Sequence, residues 1–216
     1  METTDVKTTA STEMVTAKPT VASPISFGAS GVQLTSLEDA FRFAKAIVSS
    51  GFAPRGMEKP ESVLVALQWG AELGLTPMAA LSNIAVVNGR PSLFGDAALA
   101  LVRSSGQLES YSEEEIGEAG KDSHGYKVTV KRRGCEPQSE SFTVSDAKTA
   151  KLWGKNGPWS DYPRRMLKFR ARGFVLRDTF GDILKGLRTT EEVRDMPAEI
   201  NVTPAEKVAG GLTSQL

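Results

Sequence analysis

The chain is short of the residues that build metal and redox centres. Its 216 residues include one cysteine, Cys135, and one histidine, His124. A single cysteine excludes an intrachain disulfide and a cysteine-based zinc site. A single histidine excludes a histidine-pair metal site. Ser–His and Cys–His nucleophile arrangements are not evident, because His124 falls in a loop, GEAGKDSHG, that reads as a solvated turn. The phosphate-cradling pattern Gly-x-x-x-x-Gly-Lys-Ser/Thr is missing too, since GEAGKDS has the wrong spacing, and no ATP site or other cofactor is expected. Carboxylates are not clustered at two-metal spacing; Glu113, Glu114 and Glu115 read as a solvated charge run at a strand end. The expectation is a protein that is not an enzyme. No apolar run approaches the ~20 residues of a membrane helix. The opening METTDVKTTASTEM lacks a charged-then-apolar signal pattern, so a reducing, cytoplasmic setting fits. Net charge is absent as well, with 26 basic and 26 acidic residues.

What is present suits one domain with tails. Apolar residues are 40 % of the chain, enough for a core. Residues 1–33 are rich in Thr, Ser, Ala and Pro and read as a flexible arm; residues 197–216 read as a similar tail. The folded part is 34–196. Thr35 and Glu38 have capping-box spacing before a helix that ends near Gly51. Pro60 opens a second helix, which stops at Gly74, and Met78–Leu81 continue as a short helical stretch. IAVVNGRPSLF reads as a hairpin turning at Asn88-Gly89, with Pro91 confining its second arm to an edge or a strand start. Asp96 reads as the N-cap of a helix ending at Gly106. Leu108–Glu115, Gly125–Arg132 and Gln138–Val144 read as strands. Ser145 caps a helix to Trp153, a GKNGPW link follows, and Pro163 opens a long helix to about Gly181. TTEEVRDM holds a last short helix. Strands and helices come in blocks, which predicts α+β, a small antiparallel sheet and hairpins packed with helices.

Charge is unevenly placed. Ser145–Arg188 carries 11 basic residues against 4 acids, a net of +7, so the remainder carries −7. A concentrated basic region in a neutral chain is the usual footprint of a polyanion site. At about 100° per residue, Arg164, Arg165, Lys168 and Arg172 share one arc of the long helix, and Arg170 and Arg177 lie roughly opposite. Apolar residues fall between the two stripes, so the helix is expected to be wedged between packed elements with cations pointing both ways. Arginine's fork favours bidentate phosphate contacts. The competing reading is a cationic face paired with the chain's own acids. Trp153 and Trp159 flank the link and read either as base-stacking platforms or as packing anchors. Lys131-Arg132-Arg133 at a strand end read as a solvated turn, or as a second wall for DNA; Arg90 at the hairpin tip reads as an exposed turn, or as a phosphate contact.

The stretch GPWSDYPRRMLKFRARGFVLRDTFGDILKGL resembles the hallmark segment of the phage RecT / lambda Red-beta family of single-strand DNA annealing proteins. ALQWGAELGLTPMAALSNIAVVNGRPSLFGDAALALVRSSGQLESYSEE is similar to that family's LG-x-x-P motif, hairpin and Asp-led helix. Together they cover roughly residues 63–188. The resemblance implies an α+β core distantly related to the Rad52 annealing domain. It implies ATP-independent binding and annealing of single-stranded DNA, with no cofactor, in phage recombination in the bacterial cytoplasm. It also implies homo-oligomeric rings or helical filaments and work beside a phage exonuclease or a host single-strand-binding protein. By position in the motif, Arg164, Arg165, Arg170 and Arg177 would contact the DNA backbone, and Lys168 falls where the family tends to be basic. Arg172 joins the expected DNA-binding set from the helical pattern. The alternative from another class is a duplex-DNA-binding regulator using the same helix.

Overall fold

The computed structural model describes residues 26–28, 31–87 and 89–196. Two short strands, β1 (Ser26–Gly28) and β2 (Gly31–Gln33), pair antiparallel with Phe27 opposite Val32. Sequence composition placed both in the flexible arm; pairing through Ser26–Gln33 makes them a ribbon instead. The rest of the expected arm and the expected tail at 197–216 lie outside the described residues.

Helix α1 (Leu37–Ser49) begins one residue later than its capping pattern implied. Ser36, not Thr35, is the cap, and its Oγ accepts from the Asp39 amide at 3.1 Å. Thr35 Oγ1 donates instead to the buried Asp39 carboxylate at 3.0 Å. Helix α2 (Pro60–Glu72) starts at its proline, buries Val63, Ala66, Leu67 and Gly70, and is closed by the Leu75 amide bonding back to the Gly70 carbonyl at 2.8 Å. Gly74 at φ 72° makes that reversal possible. Helix α3 (Pro77–Asn83) then crosses α2 at Gly70, where an added Cβ would lie 2.2 Å from Ala80 Cβ. The expected hairpin follows as β3 (Ile84–Val87) and β4 (Arg90–Leu93), in register Val87 to Arg90, with Gly89 at φ 74° in the turn.

Helix α4 (Gly95–Ser104) is capped at Phe94, so Asp96 is not the N-cap expected of it; it sits in the first turn with its carboxylate free to reach elsewhere. The three expected strands form an antiparallel meander: β5 (Leu108–Ile116), β6 (Gly125–Arg132) and β7 (Gln138–Thr143), in that order. Gly125 lets β6 approach β7, where a Cβ would meet the Phe142 carbonyl at 2.4 Å. Helix α5 (Val144–Thr149) is capped by Thr143 in a reciprocal box with Asp146, rather than by Ser145, and ends before Trp153. The link expected to be irregular contains a helical turn, α6 (Pro158–Asp161). Then come α7 (Pro163–Phe180) and α8 (Thr190–Asp195).

The architecture is mixed helix and strand, with small antiparallel sheets and eight helices among the described residues. Helix α7 organises it. One side lies across β6 and β7, where Val128, Val130 and Phe142 are buried; the other meets α4 and α8. Met166, Leu167, Phe169, Ala171, Val175, Leu176 and Phe180 bury between these layers. Each of these side chains larger than Ala171 contributes about 1.5–3 kcal/mol of apolar burial. The wedged position expected from the split apolar pattern is the one observed. The hairpin is tied to α8 by a parallel bridge between Leu93 and Thr189 and a buried Ser92–Thr190 hydroxyl contact at 3.1 Å. Among the described residues no single helix is long and apolar enough to cross a membrane.

Candidate nucleic-acid interface

Strand geometry sets the first half of the site. Successive side chains on β5 alternate, so Glu113 and Glu115 point to the same face, toward α7, and Glu114 points away. The first arc of α7 meets them. Arg164 pairs with Glu115, and Lys168 with Glu113 at 3.4 Å. Arg172, buried, donates through Nε to Glu113 Oε1 at 2.7 Å and through Nη1 to Asp96 Oδ1 at 2.9 Å. Arg165 reaches the other Asp96 oxygen at 3.1 Å and lies over the Phe169 ring, 4.5 Å from its centroid. Glu113 is therefore not part of a solvated run. Burial pushes its carboxyl up, but hydrogen bonds from Tyr111 and Arg172, with the Arg172 and Lys168 charges, outweigh burial and hold it below the usual glutamate value. Burial and the bond to Glu113 push the Tyr111 phenol up in turn.

The second stripe faces the opposite layer. Arg170 is buried and pairs with Asp195 on α8, whose carboxylate also accepts from Trp159 Nε1 at 2.8 Å. Arg177 pairs with Glu192 on the same helix, which also sits 3.5 Å from Arg188. Both guanidiniums lie near the Phe174 ring. Trp159 is buried and acts as a packing anchor held by Asp195; Trp153 is partly exposed.

Other expected cations are tied down near the sheet end. Lys131 pairs with Glu109 at 2.6 Å. Arg132 holds Asp182 through two bonds of 2.7 Å each and donates to the Thr179 carbonyl. The Arg132 bonds hold the Asp182 carboxyl down to about 2. Arg132 thus joins β6 to the end of α7 rather than forming an open turn. His124, read as part of a solvated loop, is buried, with Nε2 2.8 Å from Glu115. Bonds from His124 and then Arg164 hold the Glu115 carboxyl below its usual value.

The six expected DNA-binding residues are brought onto one helix, but not onto one surface. Arg164 and Arg165 are 65 % and 58 % exposed, and their acids 41 % and 68 %. Such surface pairs are worth about 0–1 kcal/mol, so a phosphate can replace the carboxylate at little cost. Lys168, 32 % exposed, is next in accessibility. Arg170 and Asp195 are 9 % and 8 % exposed. Separating a pair this buried costs about 3–5 kcal/mol, more than one phosphate contact returns. Arg172 is held in the same way, and Arg177 lies between the two cases. The accessible cations are those of the first arc's leading turn; Arg170 of the second stripe and Arg172 are structural braces. Sequence patterning missed the acids Asp96, Glu113, Glu192 and Asp195, which sit on three other elements; only the same-face spacing of Glu113 and Glu115 on a strand signalled any of them.

Among the described residues no group of three His, Cys, Asp or Glu is placed to hold a metal ion. No protein-family model, curated protein or solved structure matches the chain.

Proposed function

We propose that the protein binds single-stranded DNA along the exposed start of α7 and pairs complementary strands without ATP. The observation that carries this reading is the exposed pair Arg164 and Arg165, whose carboxylate partners are themselves exposed, with the part-exposed Lys168 one turn on. The resemblance of residues 63–188 to RecT / lambda Red-beta annealing proteins supports it, as does the mixed helix-and-strand core, read as a distant relative of the Rad52 annealing fold. In this scheme, phosphates of one strand exchange for the surface carboxylates and the base edges stay open to a second strand. Neighbouring copies in a ring or filament extend the path; the exposed Phe27, Leu37 and Phe52 suit contacts between copies. Phosphate contacts carry no base information, so sequence preference is weak. The setting is phage recombination in a bacterial cytoplasm, with an exonuclease or single-strand-binding protein as partner.

A fluorescence annealing assay with two complementary oligonucleotides and no ATP tests this. The wild-type chain accelerates pairing, and the Arg164→Ala/Arg165→Ala/Lys168→Ala variant, still folded, loses most of the acceleration. Full annealing by that variant refutes the site; no annealing by the wild type refutes the function. A second reading has its own observation: all six α7 cations already hold a carboxylate, so the basic segment can be purely internal, as in an adaptor. It requires that no polynucleotide bind even at low salt.

A further inference from the structure

Beside the exposed turn of α7 lies a cleft of about 270 Å³ between the link, α6, α7 and α8. Its walls include Trp159, Tyr162 and Phe169, and Lys155, Arg165 and Arg194 also line it. The floor is fixed: Asp195 holds Trp159 Nε1 at 2.8 Å and Arg170 at the same carboxylate oxygen. The mouth is adaptable. Tyr162 is 66 % exposed, so its ring is open to a ligand. Arg194 is exposed and has no ion pair among the described residues. Lys155 reaches Asp195 only at 3.5 Å and is half exposed.

One exposed ring, Tyr162, over a floor of buried aromatics, with Lys155, Arg165 and Arg194 around the mouth against the acids Glu191 and Asp195, suits a ligand that is flat and carries anionic groups beside it. A volume just under the ~300–1,000 Å³ of drug-sized sites suits one ring system rather than a peptide segment. Glu191, which also lines the cleft, has one carboxylate oxygen buried without a hydrogen-bond partner, packed against Gly95. We infer that this cleft takes a single unstacked nucleobase of the bound strand, with its flanking phosphates on Arg165, Arg194 and Lys155. This rests on the DNA-binding reading above and adds to it a base-holding point. One cleft per chain holds one base, so the bases between neighbouring clefts stay open for pairing, and the strand is kept from sliding along the cationic turn.

The test compares two oligonucleotides of equal length, oligo-dT and the same phosphodeoxyribose backbone without bases, by fluorescence anisotropy on the full chain. The base-bearing strand binds on the order of tenfold tighter, the scale of one stacked base. Tyr162→Ala, at an exposed side chain that leaves the fold intact, reduces its affinity toward that of the abasic strand without changing abasic binding. Arg194→Ala weakens both strands, because it removes a phosphate contact. Equal wild-type affinity for the two strands overturns the base site while leaving the cationic path standing. A Tyr162→Ala loss equal on both strands, or a change of oligomeric state with affinity for oligo-dT unchanged, overturns it too. Binding of neither strand overturns the DNA-binding reading and the cleft with it.

Discussion

Arg172→Met is expected to be strongly destabilising. The side chain is 7 % exposed and holds Glu113, 20 % exposed, through two nitrogens. Its second acid, Asp96, is 68 % exposed and contributes little. Removing the guanidinium leaves the Glu113 carboxylate partly buried with only Lys168 and the Tyr111 hydroxyl for company. Orphaning a buried charge costs about 3–5 kcal/mol, and the partial exposure of Glu113 puts this case at the lower end, about 3 kcal/mol. For a domain of this size that lowers Tm by about 6–12 °C. Urea unfolding followed by circular dichroism measures it, with the midpoint falling and the slope unchanged. Glu113→Gln keeps an acceptor for Tyr111 and removes the charge, so the double variant recovers about 1 kcal/mol or more over Arg172→Met alone. The pH dependence has a definite sign. The Glu113 carboxyl lies below its ordinary value in the fold, so its contribution is present above about pH 4.3 and is lost as pH falls through the folded value. The gap between wild type and Arg172→Met therefore narrows in acid. A cost under about 1 kcal/mol, matching that of Arg164→Ala, would refute the assignment of Arg172 as a buried brace.

The remaining expectations are simpler. On the proposed reading, the triple substitution at Arg164, Arg165 and Lys168 removes three phosphate contacts and lowers the slope of log affinity for single strands against log salt by about 2, with Tm nearly unchanged. Gly70→Ala forces a methyl to 2.2 Å from Ala80 Cβ and lowers stability by about 1–3 kcal/mol in urea titrations. Thr143→Ala removes the α5 cap and costs about 1 kcal/mol by the same measurement. Asp182 has an ordinary value of 3.8 and lies at about 2 beside Arg132, so its contribution is present above pH 4 and lost between about 4 and 2. Arg132→Ala removes that part of the acid dependence of the urea midpoint.

Features carried by local spacing were legible in the sequence. The start of α2 at Pro60, the α2 stop at Gly74, the β3–β4 turn and the three strands of the meander all rest on turn or alternation chemistry within a few residues. Neighbour competition moved the caps. Ser36 outcompeted Thr35 because Thr35 spends its hydroxyl on the buried Asp39, and Thr143 outcompeted Ser145 because Asp146 closes the box three residues after it. Contacts across long separations were not legible. Arg172 meets Asp96 and Glu113 from 76 and 59 residues away, and no periodicity on α7 names those partners. The split apolar pattern did show that α7 is sandwiched. Which layer each stripe met depended on where β5, α4 and α8 fold back.

Those partners change what the +7 segment means. In sequence it is a block of cations and the rest of the chain a block of acids. In three dimensions Glu113, Glu115 and Asp96 close on one side of α7, and Asp195 and Glu192 on the other, so much of the separation is internal neutralisation. What reaches a ligand is the difference between pairs that water already weakens and pairs that burial locks. A phosphate gains nothing by competing at Arg170, where it would leave the buried Asp195 with only the Trp159 N–H and a 3.5 Å contact to Lys155. At Arg164 and Arg165 it would displace only a carboxylate that solvent already shares. The same helix therefore serves two ends: its buried arginines lock the meander to α4 and the link to α8, and its exposed first turn stays exchangeable because the locked pairs hold it in place.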